Sequence, residues 1–282
     1  MKYVLGLLLP QRGLRVDLRD HSGKIRQVDV MAKVRQVRTI TDFDNMSRDA
    51  WFLRMEGEDQ RRRMRPQYRE LGAQLMIMKL PRFLEPDSDA QAMIGKAHGH
   101  SGLIVDLRGN PGGIEPTLQG ILSSVFQSDV KIAERAAREG TTAVMAKSNH
   151  HNAFTGKLIV LVDSESASAA ELFARVIQIE KRGTVLGDRT AGSVMEAKYY
   201  AHRTGLNPVF SYGTLVAGAD LVMADGKSLE HTGVTPDETI LPSAADLANG
   251  RDPAMARAAE IVGVTLSPEE AGKLFPYEWP KN

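Results

Sequence analysis

The chain has no cysteine in its 282 residues. That excludes disulfides, thiolate catalysis and cysteine–zinc sites, and leaves the redox compartment open. It also lacks an excess of either charge: 36 Lys and Arg stand against 35 Asp and Glu, a formal net charge of +1. A protein built around nucleic-acid binding normally carries a basic excess or patch, so no nucleic-acid partner is expected. The one basic run, Arg61-Arg62-Arg63 with Arg65, is flanked by Glu56, Glu58, Asp59 and Glu70 and reads as a solvated face. No apolar run reaches the roughly 20 residues a membrane-spanning helix needs. Metal-ligand spacing is missing too: His150 and His151 sit in a polar stretch without carboxylates, so no metal is expected there.

What is present is an ordinary globular composition, 42% hydrophobic, with chemistry concentrated at strand-to-helix turns. Leu158 to Val162 is an apolar strand that runs into Asp163-Ser164-Glu165-Ser166-Ala167-Ser168. A helical pattern follows from Ala169, with Leu172, Phe173, Val176 and Ile177 on one face and the helix expected to reach Lys181. A serine at such a turn is presented at a helix N-terminus, where unpaired N–H groups and the helix dipole stabilise developing negative charge. On this segment alone Ser166 or Ser168 is equally well explained as an N-cap.

A second element, Gly102 to Gly113, is a short buried-type strand that ends at Asp106-Leu107-Arg108 and loses its side chains at Gly112 and Gly113. Glycines there let the backbone approach a ligand with its N–H groups inward. The spacing matches neither a Walker loop nor a dinucleotide fingerprint. It fits an oxyanion-hole loop.

Taken in order, Asp106-Leu107-Arg108-Gly109-Asn110-Pro111-Gly112-Gly113, Ser166-Ala167-Ser168-Ala169-Ala170-Glu171, Gly187-Asp188-Arg189-Thr190-Ala191-Gly192 and Glu230-His231-Thr232-Gly233-Val234-Thr235-Pro236-Asp237 resemble the tail-specific, or C-terminal-processing, serine proteases and the related tricorn core. The resemblance covers roughly residues 70 to 245. It implies a serine-type endopeptidase that hydrolyses unfolded or C-terminal polypeptide segments through an acyl-enzyme, without a cofactor. It makes Ser168 the nucleophile, with Ser166 a cap or supporting residue. The oxyanion would be held by the N–H of Ala169 and one from Gly112 or Gly113. Glu230 matches the glutamate that the tricorn-like branch uses with a histidine base.

The sequence departs from that pattern at the base. The Ser–Lys branch has lysine where this chain has Ser193, and Lys198 is out of register. In the tricorn-like branch the histidine precedes a PDZ domain, a region this chain is expected to lack. Of the resident histidines, His98 and His100 read as helix-end residues and His150 and His151 as loop residues. His231 adjoins Glu230, and neighbours on a strand face opposite ways. The alternative is therefore a non-catalytic protein that binds peptide or an apolar ligand on the same fold. A crotonase-type acyl-CoA enzyme has only the fold in its favour.

Strands alternating with helices predict an α/β domain with a largely parallel sheet, which the resemblance sharpens to a ClpP/crotonase-like core. Expected strands are Gln74–Leu80, Leu103–Val105, Leu158–Val162 and Thr184–Leu186. Expected helices are Asp87–His98, with Ala90, Met93, Ile94 and Ala97 inward, and Thr117–Phe126. Alternation over Leu14–Arg19 and Ile25–Val30 around Asp20–Lys24 predicts a β-hairpin. By resemblance it would be the end of a PDZ domain, so that residues 1–34 are an incomplete PDZ remnant and earlier strands are missing. A connector is expected over 35–69, helical around Trp51–Met55, then the protease core over 70–245 and a helical tail over 246–282. Met1 to Pro10 looks superficially like a short signal peptide, but Gln11-Arg12-Gly13 offers no small-residue cleavage site. A cell-envelope or periplasmic location is implied by the resemblance alone. Substrate identity and oligomeric state stay open.

Overall fold

Four apolar runs with no polar alternation form the centre of the fold, as strands covered on both faces do. The computed structural model describes residues 13–19, 24–31, 65–84, 86–204 and 210–275. The chain divides into two units, Met1–Gln60 and Arg61–Asn282. In the first, β1 (Gly13–Arg19) and β2 (Ile25–Met31) pair antiparallel, Gly13 opposite Met31 and Arg19 opposite Ile25. This is the hairpin that the alternation predicts. Its turn at 20–23, the leading ten residues and the segment around Trp51–Met55 lie outside the described residues.

The second unit holds a six-stranded sheet in the order β12-β9-β8-β5-β4-β3. Its strands are β3 (Gln67–Leu71), β4 (Leu75–Lys79), β5 (Gly102–Asp106), β8 (Lys157–Val162), β9 (Thr184–Gly187) and β12 (Glu238–Thr239). Only the β3–β4 pairing is antiparallel; the others are parallel. The period of two along each strand separates two cores. Met76, Met78, Leu103, Val105, Leu158, Val160 and Val162 face one. Leu75, Ile77, Ile104, Ile159, Leu161 and Leu186 face the other. Each such side chain, fully buried, contributes about 1.5–3 kcal/mol.

Helices α1 (Asp87–Gly95), α2 (Glu115–Ser123) and α3 (Ala169–Ile179) cover the first face. All four residues predicted to point inward from 87–98 are buried, although the α-helix stops at Gly95 and Ala97 belongs to a short 3-10 turn. Helix α2 starts two residues before the expected Thr117, because Pro116 sits in the first turn where its missing N–H costs nothing. It stops at Ser123, where the hydroxyls of Ser123 and Ser124 both donate to the Gly120 carbonyl at 2.9 Å. Helix α3 falls two residues short of Lys181, which adopts a left-handed φ of 52°.

Helices α5 (Pro253–Val262) and α6 (Pro268–Leu274) cover the second face, with a short α4 (Ala244–Ala248) before them. Ser267 and Glu270 close a reciprocal cap on α6, the Ser267 N–H donating to Glu270 at 2.9 Å and the Glu270 N–H to the Ser267 hydroxyl at 3.2 Å. Phe275 packs against this second core and has the Arg69 guanidinium 5.2 Å from its ring centre; the residues after it lie outside the described set.

One layer escapes the sequence reading. β6 (Val130–Ala137), β7 (Gly140–Ala146), β10 (Glu196–Thr204) and β11 (Phe210–Met223) form an antiparallel sheet in the order β10-β11-β6-β7. Val-Lys-Ile-Ala-Glu-Arg-Ala-Ala in β6 is made largely of helix-favouring residues. Its conformation comes from pairing on both edges, to β7 across the two-residue loop Arg138–Glu139 and to β11.

Candidate active site

Three of the sequence motifs leave the carboxyl ends of the adjacent parallel strands β5, β8 and β9, and the fourth, which runs into the start of β12, is joined to the third through Thr190. At the end of β5, the fully buried Asp106 takes a two-pronged grip from Arg108, Nε to Oδ1 and Nη2 to Oδ2, both 2.8 Å. The same guanidinium reaches Asp252 at the start of α5, at 2.9 and 2.8 Å. Burial alone would push the Asp106 carboxyl up. The charge and hydrogen bonds of Arg108 outweigh that and hold it below its ordinary value. The Asp-Leu-Arg step is thus the anchor of the loop that follows.

Within that loop, buried Asn110 sets the path. Its Nδ2 donates to the Leu80 carbonyl at 2.8 Å, and its Oδ1 accepts the Gly112 N–H at 2.8 Å. Its carbonyl accepts the Ala167 N–H at 2.9 Å, which ties the loop to the serine turn. Gly112 has φ 94°, and a Cβ there would lie 2.6 Å from the Ser168 Cβ. A Cβ on Gly113 would lie 1.8 Å from the Phe83 carbonyl oxygen. Both glycines are required by close approach, and Gly112 packs directly on Ser168.

Ser168 occupies the N-cap position of α3 with φ 54° and ψ −120°. An N-cap serine ordinarily has extended backbone. A non-glycine residue held at positive φ stores of order 1–3 kcal/mol and persists only where its surroundings fix it. A sharp, strained strand-to-helix turn is also how nucleophile elbows expose a serine hydroxyl. Ser166 is different: it is fully buried, its hydroxyl donating to the Leu107 carbonyl (2.9 Å) and accepting the Asp163 N–H (2.9 Å). It holds the turn from beneath.

Among the described residues, the Gly113 and Ala169 N–H groups make no hydrogen bond, whereas the Gly112 N–H is taken by Asn110. Gly113 is exposed, and the Ala169 N–H opens the helix beside the Ser168 side chain. Each of these two unpaired donors follows directly on one residue of the Gly112–Ser168 contact.

Glu171, which the sequence reading passed over as part of a motif, is the hub. Fully buried, its carboxylate accepts the Ser168 N–H (3.0 Å), the Thr190 hydroxyl (2.6 Å), the Gly192 N–H (2.8 Å) and the Ser193 N–H (2.9 Å). The Ser168 N–H also reaches the Ser193 carbonyl at 2.9 Å. Thr190 then accepts the Val234 N–H at 2.6 Å and joins the last motif to the assembly. Glu230 braces the same loop one step further on, accepting the Val194 and Met195 N–H groups at 2.8 and 3.0 Å. Asp237, closing the last motif, accepts the Val185 N–H at 2.8 Å.

No histidine or lysine among the described residues is hydrogen-bonded to the Ser168 hydroxyl. Ser193 is exposed. Lys198 lies on β10 with its ammonium 5.6 Å from the Tyr200 ring centre. The expectation that Glu230 and His231 are strand neighbours facing opposite ways fails: they form a turn, with His231 at φ 61°, and His231 Nε2 lies 4.0 Å from Glu230 Oε1. The His231 side chain is 90% exposed. His150 and His151 are exposed in a 3-10 turn, as the loop reading has it. No group of residues able to hold a metal ion occurs among the described residues.

The model of Peptidase family S41 matches residues 74–240, more than half of the chain. The chain belongs to family S41. A carboxyl-terminal-processing protease of Synechocystis sp. is 29% identical over 143 residues, which are 50% of this chain and 31% of that protein. A tail-specific protease of Haemophilus influenzae is 30% identical over 124 residues, 43% of this chain and 18% of the relative. The S41 chain thus spans under a third of the length of these relatives. Among solved structures, a photosystem II D1 C-terminal processing protease superposes with a TM-score of 0.52 at 20% identity, over 92% of this chain and 61% of that one, a likeness of fold. The S41 sequence match begins at the central strands and ends at β12, so it takes in every motif described above and leaves out α4 to α6.

Proposed function

We propose that this S41 chain carries the core of a serine-type peptidase that cleaves polypeptides at unfolded or C-terminal segments through an acyl-enzyme on Ser168. The observation that carries this reading is the strained Ser168 turn with Gly112 packed on it and the unpaired N–H groups of Gly113 and Ala169 alongside. In this reading Ser168 Oγ attacks the scissile carbonyl carbon and gives up its proton to a base. The carbonyl oxygen becomes an oxyanion between the two N–H groups, an arrangement whose loss typically costs a factor of about 100–1,000 in rate. Collapse breaks the C–N bond as the base returns that proton to the leaving amine, and water, giving a proton to the base, then hydrolyses the ester and restores the Ser168 hydroxyl. Gly112 serves by its missing side chain, and Glu230 by fixing the 193–195 loop.

The finer architecture goes with this reading: a ClpP/crotonase-like core, the hairpin β1–β2 as the end of a PDZ domain, and a cell-envelope site of action. An extended polypeptide is the natural substrate of such a cleft.

A specific observation favours a second reading, a peptide-binding protein that does not cut. Serine stands at position 193 where the resemblance has lysine, and Lys198 is directed to Tyr200. Labelling the chain with a fluorophosphonate and mapping the modified residue separates the two. Modification of Ser168, abolished by Ser168→Ala, supports the peptidase; no modification, with peptide binding retained, supports the binder.

A further inference from the structure

The family match stops at residue 240, yet a carboxylate twelve positions later touches the loop that carries Gly113. Asp252 Oδ1 and Oδ2 accept from Arg108 Nη1 (2.9 Å) and Nη2 (2.8 Å), while Oδ1 also accepts the Met255 N–H (2.9 Å) that begins α5. Arg108 is the second residue of the 107–113 loop. Its guanidinium is thus shared between buried Asp106 on the sheet and Asp252 on a helix of the opposite face. The loop has other anchors: Leu107 N–H to the Leu161 carbonyl at 2.8 Å, Gly109 N–H to Asp163 Oδ1 at 2.9 Å, Asn110 to the Leu80 carbonyl and the Ala167 N–H, and the Gly112 carbonyl to the Phe83 N–H at 3.0 Å.

We propose that Asp252 is a positioning residue: by holding Arg108 from α5 it keeps the 107–113 loop, and with it the Gly113 N–H, in register with Ser168. The inference rests on reading that loop as the oxyanion loop. Arg108 is held on Asp106 by one edge of its fork and on Asp252 by the other. Two opposed carboxylates fix both the position and the plane of a guanidinium, and one fixes it less well. An oxyanion donor is effective only within tenths of an ångström of its place, and a misplacement of about 1 Å can cost about 100-fold.

The test measures the second-order rate of Ser168 labelling by a fluorophosphonate, with the denaturant midpoint, in the full chain and its variants. Asp252→Asn keeps an oxygen for the Met255 N–H and removes the charge and second acceptor. Labelling should slow by about 3- to 10-fold under conditions where the protein is fully folded, a fraction of the loss of a whole donor. Asp252→Glu should recover part of the rate. Arg257→Ala is the control: it removes the contact of α5 with Glu238 (3.1 Å) without touching Arg108, and its rate should stay within about twofold of the parent, as a rim contact allows. Equal rates for Asp252→Asn and the parent overturn the proposal. So does an equal slowing by Arg257→Ala, which would mean that Asp252 merely docks the helix. If Asp252→Asn does not fold, Asp252→Ser, which keeps a cap for the Met255 N–H and loses the carboxylate, carries the comparison, and a rate equal to the parent's overturns the proposal. A parent chain that is not labelled at Ser168 overturns the peptidase reading and this inference together, an outcome distinct from either of the others.

Discussion

Gly112→Ala is the sharpest perturbation the site permits, because one added carbon lands among fixed backbone atoms. Its Cβ would lie 2.6 Å from the Ser168 Cβ, 2.8 Å from the Ala167 carbonyl oxygen and 3.0 Å from the Ala169 nitrogen. None of these is the end of a flexible chain, so the strain is not relieved by a rotamer change. Overpacking of this kind costs about 1–3 kcal/mol, and alanine at φ 94° adds about 1–3 kcal/mol of backbone strain. The sum, about 2–6 kcal/mol, is either lost from global stability or relieved by moving the serine turn away from the loop. The two routes have different signatures. A fall in the urea midpoint with unchanged m-value reports the first. A folded variant with its Ser168 labelling slowed by about 100-fold or more reports the second. Both together would divide the sum between them. A Gly112→Ala protein with parental midpoint and parental labelling would show that the loop and the turn do not touch, and the oxyanion argument would fail with it.

Three other outcomes follow from the same geometry. Ser166→Ala should lower stability by about 1–3 kcal/mol in chemical denaturation, since it leaves the Leu107 carbonyl and the Asp163 N–H without their buried partner, while Ser168→Ala should barely change stability and abolish labelling. Glu171→Gln replaces a carboxylate with four donors on it by an amide that cannot accept them all. It should cost about 3–5 kcal/mol, read as a thermal or urea shift, and slow the labelling of whatever remains folded. The pH dependence of unfolding should show Asp106. Its folded pKa lies below the unfolded value of about 3.9, so its contribution is fully present above that value and is lost as pH falls through the lower, folded pKa. Acid titration of the Asp106→Asn variant should lack that part of the slope below about pH 4; a parent and variant with parallel curves would refute the assignment.

How far the residues announced this arrangement depends on which kind of signal is asked for. Uninterrupted apolar runs at 75–78, 102–105 and 158–162 gave the central strands, because strands covered on both faces need no polar alternation. Small residues at 166–170 and the glycines at 112 and 113 marked the site, since backbone can approach backbone only where side chains are absent. The roles within the motifs were less legible. Nothing in Ser-Ala-Ala-Glu distinguishes a cap glutamate from Glu171 as it stands, with four donors drawn from two loops that meet only in the fold. Likewise Gly112 and Gly113 look interchangeable until Asn110, two residues earlier, takes up one N–H and leaves the other. The antiparallel layer of β6, β7, β10 and β11 was hidden by the alanines and charges of β6, whose local preference is helical and whose neighbours impose a strand.

The main-chain parts of the site depend on many positions at once, whereas residue 193 offers only an exposed side chain and shares its peptide groups with Glu171 and Ser168. Exchange of that one side chain leaves every restraint on the serine turn in place. Position 193 can therefore change its side chain without rebuilding the turn that holds Ser168, a freedom that Gly112 and Glu171, packed and bonded on that same turn, do not have.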